Sequence, residues 1–340
     1  MQYMLKRPDT IVIGGTGLVG SHLLWLIAQQ GPVIASCRTI KNKERVRRFF
    51  LFCDSKKGEE IFSRIEWIQL DILNLDELAR SLKDMRKVYH CAALVSFHRI
   101  DFYNCIKINR GGTANVVNAC LEIPDIRLCY VSSTAAIGQN PGGEIDENCL
   151  WKASDINSGY SVSKFGAEKE VWRGIEEGLN AVIINPCTII GPGPWEEGSM
   201  EMFRVAKNGI FFYPSGCNAT VDARDVATSM VFLMNSDIRN ERYLCTGTNK
   251  DFRGLFVAIT REMNKTPPLI YAPKWLAIPI SYLLETVSLV RKKRQGMTIE
   301  SARAAYATRV YNSNKLKSLM PNTFFSLEES IQHAIKGRII

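Results

Sequence analysis

The sequence predicts an α/β protein in which a doubly wound parallel β-sheet is followed by a smaller α/β lobe. Three observations support this prediction. Short apolar runs alternate with amphipathic stretches through the first half of the chain, a glycine-rich turn joins the first run to the first amphipathic stretch, and the alternation ends after Pro186. Strands that alternate with helices at this spacing form βαβ units, whose strands are parallel.

Each element of the first half follows from its local pattern. Strands are expected where short runs of apolar and β-branched residues occur, at 10–13, 33–37, 65–70, 88–91, 128–132 and 181–185. Helices are expected between them, at 18–30, 42–53, 75–82, 102–121 and 161–176. Right-handed crossovers join such strands, so ligands are expected outside the carboxyl ends of the strands.

The chain is expected to divide at residue 186. Residues 1–186 would form a dinucleotide-binding sheet domain, and residues 187–340 would form a substrate-binding lobe from which later segments return to the sheet. Turn signals at 191–194 and 214–216 mark the change of pattern. Because no stretch of linker composition separates the halves, we expect the lobe to pack directly against the sheet.

The composition favours a chain that folds in a reducing compartment. Apolar residues make up 46% of the 340 residues, which is enough for a full core. Ten cysteines are scattered without a C-x-x-C pair, a pattern typical of free thiols rather than of a disulfide framework. The polar amino-terminal residues lack the apolar stretch of a secretory signal. We therefore expect a cytoplasmic protein.

The net charge of +9 comes from basic residues spread over the whole chain, with clusters at 41–48 and 291–294. A nucleic-acid-binding protein usually concentrates its positive charge on one element and interleaves aromatic residues. We therefore expect no nucleic-acid partner, but a solvated basic surface that attracts an anionic cofactor.

The most apolar segment, 276–290, raises the question of a membrane. It is too short to span a bilayer comfortably, and it contains Pro279 and Glu285. It could lie on a membrane surface, because the basic cluster 291–294 follows it directly. We favour the alternative, a buried helix of the C-terminal lobe.

The glycine-rich turn at 14–20, Gly-Gly-Thr-Gly-Leu-Val-Gly, predicts a dinucleotide site. The pattern alone is weak, but here it follows a predicted strand and opens a predicted helix. Glycines allow a tight turn and a close approach of the backbone to a pyrophosphate, which the helix N-terminus attracts. The candidate phosphate contacts are Gly14, Gly17, Leu18, Val19 and Gly20.

The end of the second strand favours NADP(H) over NAD(H). An NAD site usually has an acidic residue there to bind the ribose 2′-hydroxyl, whereas residues 35–39 read Ala-Ser-Cys-Arg-Thr. Arg38 could pair with a 2′-phosphate, assisted by Lys41 or Lys43. NAD(H) stays possible, in which case Arg38 would stack on the adenine or face solvent.

Tyr160 and Lys164 are the candidate catalytic pair. Their spacing of four places both on one face of a helix, where the ammonium group would lower the pKa of the phenol. The tyrosine would then exchange a proton with a carbonyl or hydroxyl oxygen. Two other pairs, Tyr103–Lys107 and Tyr311–Lys315, have the same spacing, so only position distinguishes Tyr160, which follows the strand ending at 131–134.

A hydroxyl to hold the substrate oxygen is available in the Ser-Ser-Thr run that ends the fifth strand. Either Ser133 or Thr134 fits this role. The alternative is a polar strand end whose hydroxyls bond locally. The four histidines of the chain form no ligand cluster in the sequence, so we expect no metal site.

Together these residues resemble the motifs of the extended short-chain dehydrogenase/reductases. The turn at 14–20 resembles that family's glycine motif, 131–138 resembles its serine motif, and 160–164 its Y-x-x-x-K. Further similar segments are 71–72, 90–93, 109–116, 185–193 and 221–227. The residues at 37–38 (Cys-Arg) and at 190–193 (Ile-Gly-Pro-Gly) are most similar to those of the dihydroflavonol-reductase-like and 3β-hydroxysteroid-dehydrogenase-like branches.

The resemblance implies a Rossmann fold and a set of site residues. It assigns the catalytic hydroxyl to Ser133, beside Tyr160 and Lys164, and it implies a homodimer formed through helices 102–121 and 161–176. Tyr160 and Lys164 would also contact the cofactor. The further cofactor contacts that it implies are Asp71, Ile72, Ala92, Ala93, Asn109, Pro186 and Thr188.

Three functions are compatible with this pattern. The first is an NADP(H)-dependent oxidoreductase that reduces a carbonyl or oxidises a secondary alcohol of a small to medium, largely apolar substrate. The second is a nucleotide-sugar epimerase or reductase, in which hydride leaves and returns within one site. The third, a non-catalytic dinucleotide sensor, is disfavoured because a sensor has no need of all three of Ser133, Tyr160 and Lys164.

Overall fold

The computed structural model describes residues 8–153, 157–291, 297–321 and 324–339. Its strands are β1 (Thr10–Ile13), β2 (Val33–Cys37), β3 (Ile65–Gln69), β4 (Lys87–His90), β5 (Arg127–Val131), β6 (Asn180–Pro186), β7 (Thr188–Ile190), β8 (Phe212–Tyr213), β9 (Cys217–Asp222), β10 (Glu241–Cys245), β11 (Thr248–Asp251) and β12 (Ile270–Tyr271).

The helices alternate with the strands in the first half and dominate the end of the chain. They are α1 (Leu18–Gln30), α2 (Lys43–Cys53), α3 (Gly58–Ser63), α4 (Leu75–Leu82), α5 (Phe102–Cys105), α6 (Gly112–Leu121), α7 (Gly159–Glu176), α8 (Glu201–Asn208), α9 (Ala223–Asn235), α10 (Phe252–Glu262), α11 (Lys274–Arg291), α12 (Ile299–Ala305), α13 (Asn314–Lys317) and α14 (Leu327–Lys336).

The main sheet has seven parallel strands in the order β10-β6-β5-β4-β1-β2-β3. This confirms the predicted doubly wound parallel sheet. The strand order reverses between β1 and β4, and ligands of such sheets bind in the crevice at this point. The seventh strand, β10, lies in the second half of the chain and was not among the predicted strands.

Alternating residues of the strands supply the two layers of the core, as a period of two requires. Val12 packs toward α1, α2 and α9, whereas Ile11 and Ile13 pack toward α4, α6 and α7. A third apolar cluster joins α8, α10 and α14 in the C-terminal lobe, around Phe203 and Ile259. The lobe also contains a three-stranded sheet, β11-β9-β7, and the two-stranded pair β12-β8.

The predicted helix 102–121 is present but not continuous. A π-helical turn, Ile106–Gly111, separates α5 from α6. The glycine that follows is needed for packing, because a Cβ on Gly112 would collide with the side chain of Ile72. Wide turns of this kind are often found at functional sites, where they redirect a side chain.

The apolar segment 276–290 differs from the expectation of a buried helix. It lies in α11, but most of its large apolar side chains are exposed, and Pro279 lies within the helix. The apolar composition was correctly associated with a helix, but the pattern did not indicate which side faces the protein. Among the described residues, no helix is long and apolar enough to cross a membrane. Residues 292–294 of the basic cluster lie outside the described residues.

Candidate active site

The predicted site residues lie where strands end, at one edge of the main sheet. Each group follows the carboxyl end of its strand: residues 14–20 follow β1, Arg38 follows β2, Asp71 and Ile72 follow β3, Ala92 and Ala93 follow β4, Ser133 follows β5, and Pro186 ends β6. Parallel strands place their carboxyl ends at the same edge, so residues far apart in the sequence meet there.

The glycine turn is shaped by close backbone contacts. Gly14 has a φ of +85°, and a Cβ there would lie 2.6 Å from the backbone nitrogen of Ala92. A Cβ on Gly20 would collide with the carbonyl oxygen of Gly14. Gly15 N–H donates to the carbonyl of Ser36 at 3.0 Å, which ties the turn to the end of β2. These glycines bring the ends of β1 and β4 together at the point where the strand order reverses.

The N-terminus of α1 fits the pyrophosphate of a dinucleotide. Gly17 is its N-cap, and no side chain caps the helix there. The first N–H groups of α1, which include those of Leu18 and Val19, therefore point their positive dipole end outward. A Cβ on Gly17 would meet one atom, Gly14 O at 3.5 Å, so it would fill open space above the turn. A pyrophosphate is the group that such a cradle accepts.

The residues that follow β2 and β3 line the outer part of this edge. Arg38 and Asp71 are exposed, whereas Ile72 is buried against α6. Asp71 accepts a hydrogen bond from Leu73 N–H at 3.0 Å, which fixes the loop after β3. The guanidinium group of Arg38 is accessible to an anion, and no acidic residue lies within 35–39.

At this edge of the sheet, the side-chain amide of Asn109 bonds to other residues of the protein. It lies in the π-helical turn with 1% of its surface exposed. Its amide accepts from Leu94 N–H at 2.7 Å and donates to Leu94 O at 2.9 Å and to Ser163 Oγ at 2.8 Å. Asn109 thereby fixes the loop after β4 to helix α7. A direct contact of Asn109 with a cofactor stays a prediction.

Pro186 and Thr188 lie on either side of the boundary between two sheets. Pro186 is the buried last residue of β6, whereas Thr188 begins β7 in the lobe's three-stranded sheet. The Thr188 hydroxyl accepts a hydrogen bond from the Asn218 amide at 3.3 Å. Thr188 is therefore held by the lobe, beside the end of β6.

Ser133 and Tyr160 face each other across the site. Ser133 Oγ accepts from Ala135 N–H at 3.1 Å, so its own proton is available for another acceptor. Tyr160 lies in the first turn of α7, which Ser158 caps by accepting from Ser161 N–H at 2.7 Å. Burial raises the pKa of Tyr160 to about 12, and a hydrogen bond with the Ser133 hydroxyl opposes the rise. The structure thus differs from the sequence expectation of a lowered pKa, because the desolvation of the phenol dominates.

Lys164 lies one turn after Tyr160 and is 1% exposed. Its ammonium group donates to Tyr130 Oη at 2.9 Å and to Val131 O at 2.7 Å, at the end of β5. Burial lowers the pKa of Lys164 to about 7, while the negative charge of Glu168 raises it. The lysine is therefore fixed beneath the site and changes its charge near neutral pH.

Glu168 is a buried carboxylate that the sequence analysis did not single out. It is 2% exposed and accepts from Ser132 Oγ at 2.6 Å, from the Asn185 amide at 2.7 Å and from Arg242 at 2.9 Å. Asn185 also donates to Ser133 O at 3.1 Å. Glu168 and Asn185 together hold the end of β5 on which Ser133 lies. The helical spacing of Lys164 and Glu168 was a usable signal in the sequence, whereas their partners come from the tertiary fold.

The two other tyrosine–lysine pairs lie elsewhere. Tyr103 is 84% exposed on α5. Tyr311 is buried, and its hydroxyl approaches Thr134, next to Ser133. Its lysine does not join it, since Lys315 pairs with Glu241 at 2.5 Å. Tyr311 therefore packs next to the serine motif from the lobe, a contact that its spacing from Lys315 did not indicate.

An aromatic side chain packs against Tyr160. The Phe97 ring meets the Tyr160 ring edge-on, with centroids 5.5 Å apart. A Cβ on Gly159 would lie 3.0 Å from the backbone of Phe102, so this loop packs closely against the start of α7. Glu300 of α12 approaches Ser158 from the lobe, and burial raises the pKa of Glu300 to about 7.

Comparisons with known proteins agree with this geometry. A model of the NAD dependent epimerase/dehydratase family matches residues 10–245. The chain is 24% identical over 334 residues to "Putative dihydroflavonol 4-reductase" of Synechocystis sp., covering 95% of this chain and 92% of that protein. It is 22% identical over 343 residues to the decarboxylating sterol-4-alpha-carboxylate 3-dehydrogenase of Schizosaccharomyces pombe, covering 96% of both chains. The Thermus thermophilus UDP-glucose 4-epimerase in complex with NAD has a similar fold, with a TM-score of 0.70 at 17% identity, covering 96% of this chain and 98% of that one.

A seven-stranded parallel sheet with a glycine turn at its switch point is the arrangement of a dinucleotide-binding fold. The chain belongs to the NAD dependent epimerase/dehydratase family. Its relatives are reductases and dehydrogenases, so the class of enzyme is an NAD(P)-dependent oxidoreductase of the short-chain dehydrogenase/reductase type.

Proposed function

We propose that this enzyme is an NADP(H)-dependent oxidoreductase that reduces a carbonyl, or oxidises a secondary alcohol, of a small to medium apolar substrate. The observation that carries the proposal is the placement of the Tyr160 and Ser133 hydroxyls next to each other at the carboxyl edge of the sheet, with Lys164 one turn below. When bound, the dinucleotide supplies or accepts the hydride at this edge.

The residues divide the remaining work. Ser133 and Tyr160 bind the substrate oxygen, since both hydroxyls face the same space. Tyr160 holds the proton that a carbonyl oxygen takes up, because a pKa of about 12 keeps the phenol protonated at neutral pH. Lys164 holds the ribose hydroxyls of the cofactor and supplies a nearby positive charge when protonated, which favours the phenolate after the proton has left.

An apolar substrate is favoured by the loop that faces Tyr160. Val95, Phe97, Ile100 and Phe102 of this loop are all exposed, although large apolar side chains are usually withdrawn from water. Pockets for small organic molecules are lined mainly by such side chains. A nucleotide sugar would instead require polar and charged contacts for its sugar and its diphosphate.

Turnover with defined compounds tests the reaction class. We expect consumption of NADPH with members of a panel of apolar aldehydes and ketones. We expect no epimerisation of UDP-glucose. Tightly copurifying oxidised cofactor, together with interconversion of a nucleotide sugar without net use of NADPH, would replace this proposal by an epimerase. Cofactor binding without turnover of any compound in a broad panel would favour a sensor.

Arg38 supports the choice of NADP(H), since its guanidinium group is exposed next to the end of β2. We expect Arg38→Ala to raise the Michaelis constant for NADPH by about 10-fold, the loss of one charge-assisted contact, and to leave that for NADH nearly unchanged. Arg80→Ala, an exposed arginine on α4, is the control. An unchanged preference for NADPH in Arg38→Ala would remove Arg38 from this role.

We also propose a homodimer, formed through the face that α5, α6 and α7 present away from the sheet. Tyr103, with 84% of its surface exposed on this face, would be covered in the dimer. Light scattering of the purified protein tests the proposal: a monomeric mass at micromolar concentration contradicts it.

The scattered thiols and the reducing compartment they favour fit a cytoplasmic protein, which fractionation of cells would test.

A further inference from the structure

Helix α11 has the reverse of the usual amphipathic arrangement. Its buried positions are Ser281, Glu285 and Ser288, which recur at helical spacing and form a narrow polar stripe. Helices on the surface of a globular protein normally bury their apolar stripe and expose their polar one. The α11 apolar face is defined by its exposed side chains, Trp275, Leu276, Ile280, Leu283, Leu284, Val287, Leu289 and Val290.

Specific polar contacts hold α11 in this orientation. Glu285 is 4% exposed and accepts a hydrogen bond from Ile299 N–H at 2.9 Å, at the start of α12. On the neighbouring turn, Tyr282 accepts from Arg303 of the same helix α12 at 3.0 Å. A rotation of α11 that buried its leucines would break both contacts and bring Glu285 to the surface. The apolar face is therefore turned outward by the fold.

The apolar face continues onto the neighbouring strands of the lobe. Phe212 of β8 and Ile270 of β12 are paired strand residues, and both are more than half exposed. Phe211 and Leu269, which precede them, are also more than half exposed. Between this strand pair and α11 runs an open apolar groove, lined by Tyr271, Pro273 and Trp275 among others. Contiguous apolar surface of this kind marks an interaction site rather than ordinary scattered exposure.

The charges around the α11 apolar face indicate which kind of partner it binds. Lys274 begins α11, Arg291 ends it, and both are exposed. The sequence continues with Lys292, Lys293 and Arg294. Glu285 is the one carboxylate of α11, and it points inward. The outward side therefore combines apolar residues with cations at both ends and carries no acidic residue of the helix.

We propose that the α11 apolar face docks on the surface of an anionic lipid bilayer. Leucine, valine and tryptophan side chains of a surface helix insert at the boundary of headgroups and acyl chains, while basic residues bind anionic headgroups. Trp275 and Tyr271 line the groove beside the face, and tryptophan and tyrosine are the residues that favour the membrane–water interface. A second copy of this chain suits the face less well, because pairing two α11 helices in either direction brings cations of one copy next to cations of the other.

Vesicle flotation with the full-length protein tests the proposal. We expect the protein to float with vesicles of phosphatidylcholine and phosphatidylserine in equal amounts, and to bind more weakly to phosphatidylcholine alone or at high salt. Leu283→Glu with Val290→Glu should lower partitioning by about 10-fold for each substitution, since each apolar side chain loses its transfer into the bilayer. These positions are 66% and 79% exposed, so the variant should fold.

A matched pair of single substitutions separates a specific effect from a general one. Leu276 of α11 and Leu75 of α4 are 45% and 44% exposed. Leu276→Glu should weaken flotation by about 10-fold, whereas Leu75→Glu should leave it unchanged. Circular dichroism and NADPH binding of all variants verify their fold.

Two results would overturn the proposal. One is a wild-type protein that floats with neither kind of vesicle, or a double variant that floats as well as the wild type. The other is a protein that binds no vesicles but forms a dimer which Leu283→Glu with Val290→Glu converts to monomers. In that case the α11 apolar face would be a contact between two copies of this chain.

Discussion

Helices α7 and α11 have the same length, 18 residues, and both bury polar side chains. On α7, Ser163, Lys164 and Glu168 face inward and bond to residues of β5, β6 and the π-helical turn. On α11, the inward Glu285 caps the next helix. The two helices differ on their outer sides, which carry ion pairs on α7 and apolar side chains on α11.

This difference shows how burial and function are related in each helix. On α7 the unusual groups face inward, where hydrogen bonds hold them at the strand ends and burial lowers the pKa of Lys164. On α11 the unusual groups face outward, where water makes exposed leucines unfavourable unless a partner covers them. A buried charged group therefore indicates a chemical role only when its hydrogen-bond partners hold it at a site. An exposed apolar face indicates binding only when the residues around it indicate a partner.

Replacement of Lys164 by methionine should have the largest effect on activity. Lys164→Met removes the ammonium group that supports Tyr160 while filling a similar volume, so turnover should fall by at least about 100-fold. The free energy of unfolding should stay level or rise, because the charged form of this lysine is unfavourable in its buried position. Steady-state kinetics and thermal unfolding check the two effects, and a parallel loss of both would contradict this account.

Replacement of Val171 on α7 and of Val290 on α11 compares the inner and outer positions directly. Val171 is fully buried and Val290 is 79% exposed. Val171→Ala should lower the free energy of unfolding by about 2 kcal/mol, through lost burial and a small cavity. Val290→Ala should change it by less than about 0.5 kcal/mol. Denaturant unfolding measures both, and equal losses would show that the outer side of α11 is packed against the protein.

The Glu168 carboxylate should tune Lys164 and hold Ser133 in place. Because its negative charge raises the pKa of Lys164, Glu168→Gln should shift the lysine's limb of the pH–rate profile to a lower pH. We expect kcat to fall by about 10-fold as well, since the end of β5 loses a charged partner. Glu170→Gln, at a surface ion pair of the same helix, is the control. A pH profile identical to that of the wild type would leave Glu168 with a structural role alone.

A further effect is expected in the pH dependence of stability. Burial lowers the pKa of Lys164 from its unfolded value near 10.5 to about 7 in the folded protein. Between these values the unfolded state binds more protons, so the lysine's contribution to the free energy of unfolding rises with pH from about 7 to about 10.5. The free energy of unfolding of the wild type minus that of Lys164→Met should rise with pH over this range. A difference that does not change with pH would refute the lowered pKa of Lys164.

The parts of the site that follow from the sequence are those with local causes. The glycine turn, the strand ends and the helix of Tyr160 are each encoded within a few neighbouring residues, so their arrangement at one sheet edge was predictable. The predicted sheet and family were confirmed. Helix 102–121 was placed correctly, but the π-helical turn around Asn109 depends on its contacts with Leu94 and Ser163.

The parts that the sequence did not reveal depend on contacts between distant elements. Arg242 reaches Glu168 because β10 returns to the sheet beside β6. Tyr311 reaches Thr134 from the lobe. The orientation of α11 is set by the bond from Ile299 to Glu285, which the apolar composition of 276–290 does not indicate. Each of these is a tertiary contact, and no local pattern distinguishes it from chance.

The most direct test of the central claim compares two tyrosines that share one sequence spacing. Tyr160 opens α7 at the strand ends, and Tyr103 is exposed on α5. Turnover and equilibrium binding of NADPH are measured on Tyr160→Phe and Tyr103→Phe, with a carbonyl substrate from the panel. We predict that Tyr160→Phe loses turnover by at least about 100-fold while binding NADPH as before, and that Tyr103→Phe retains turnover. Retained turnover in Tyr160→Phe would contradict the account.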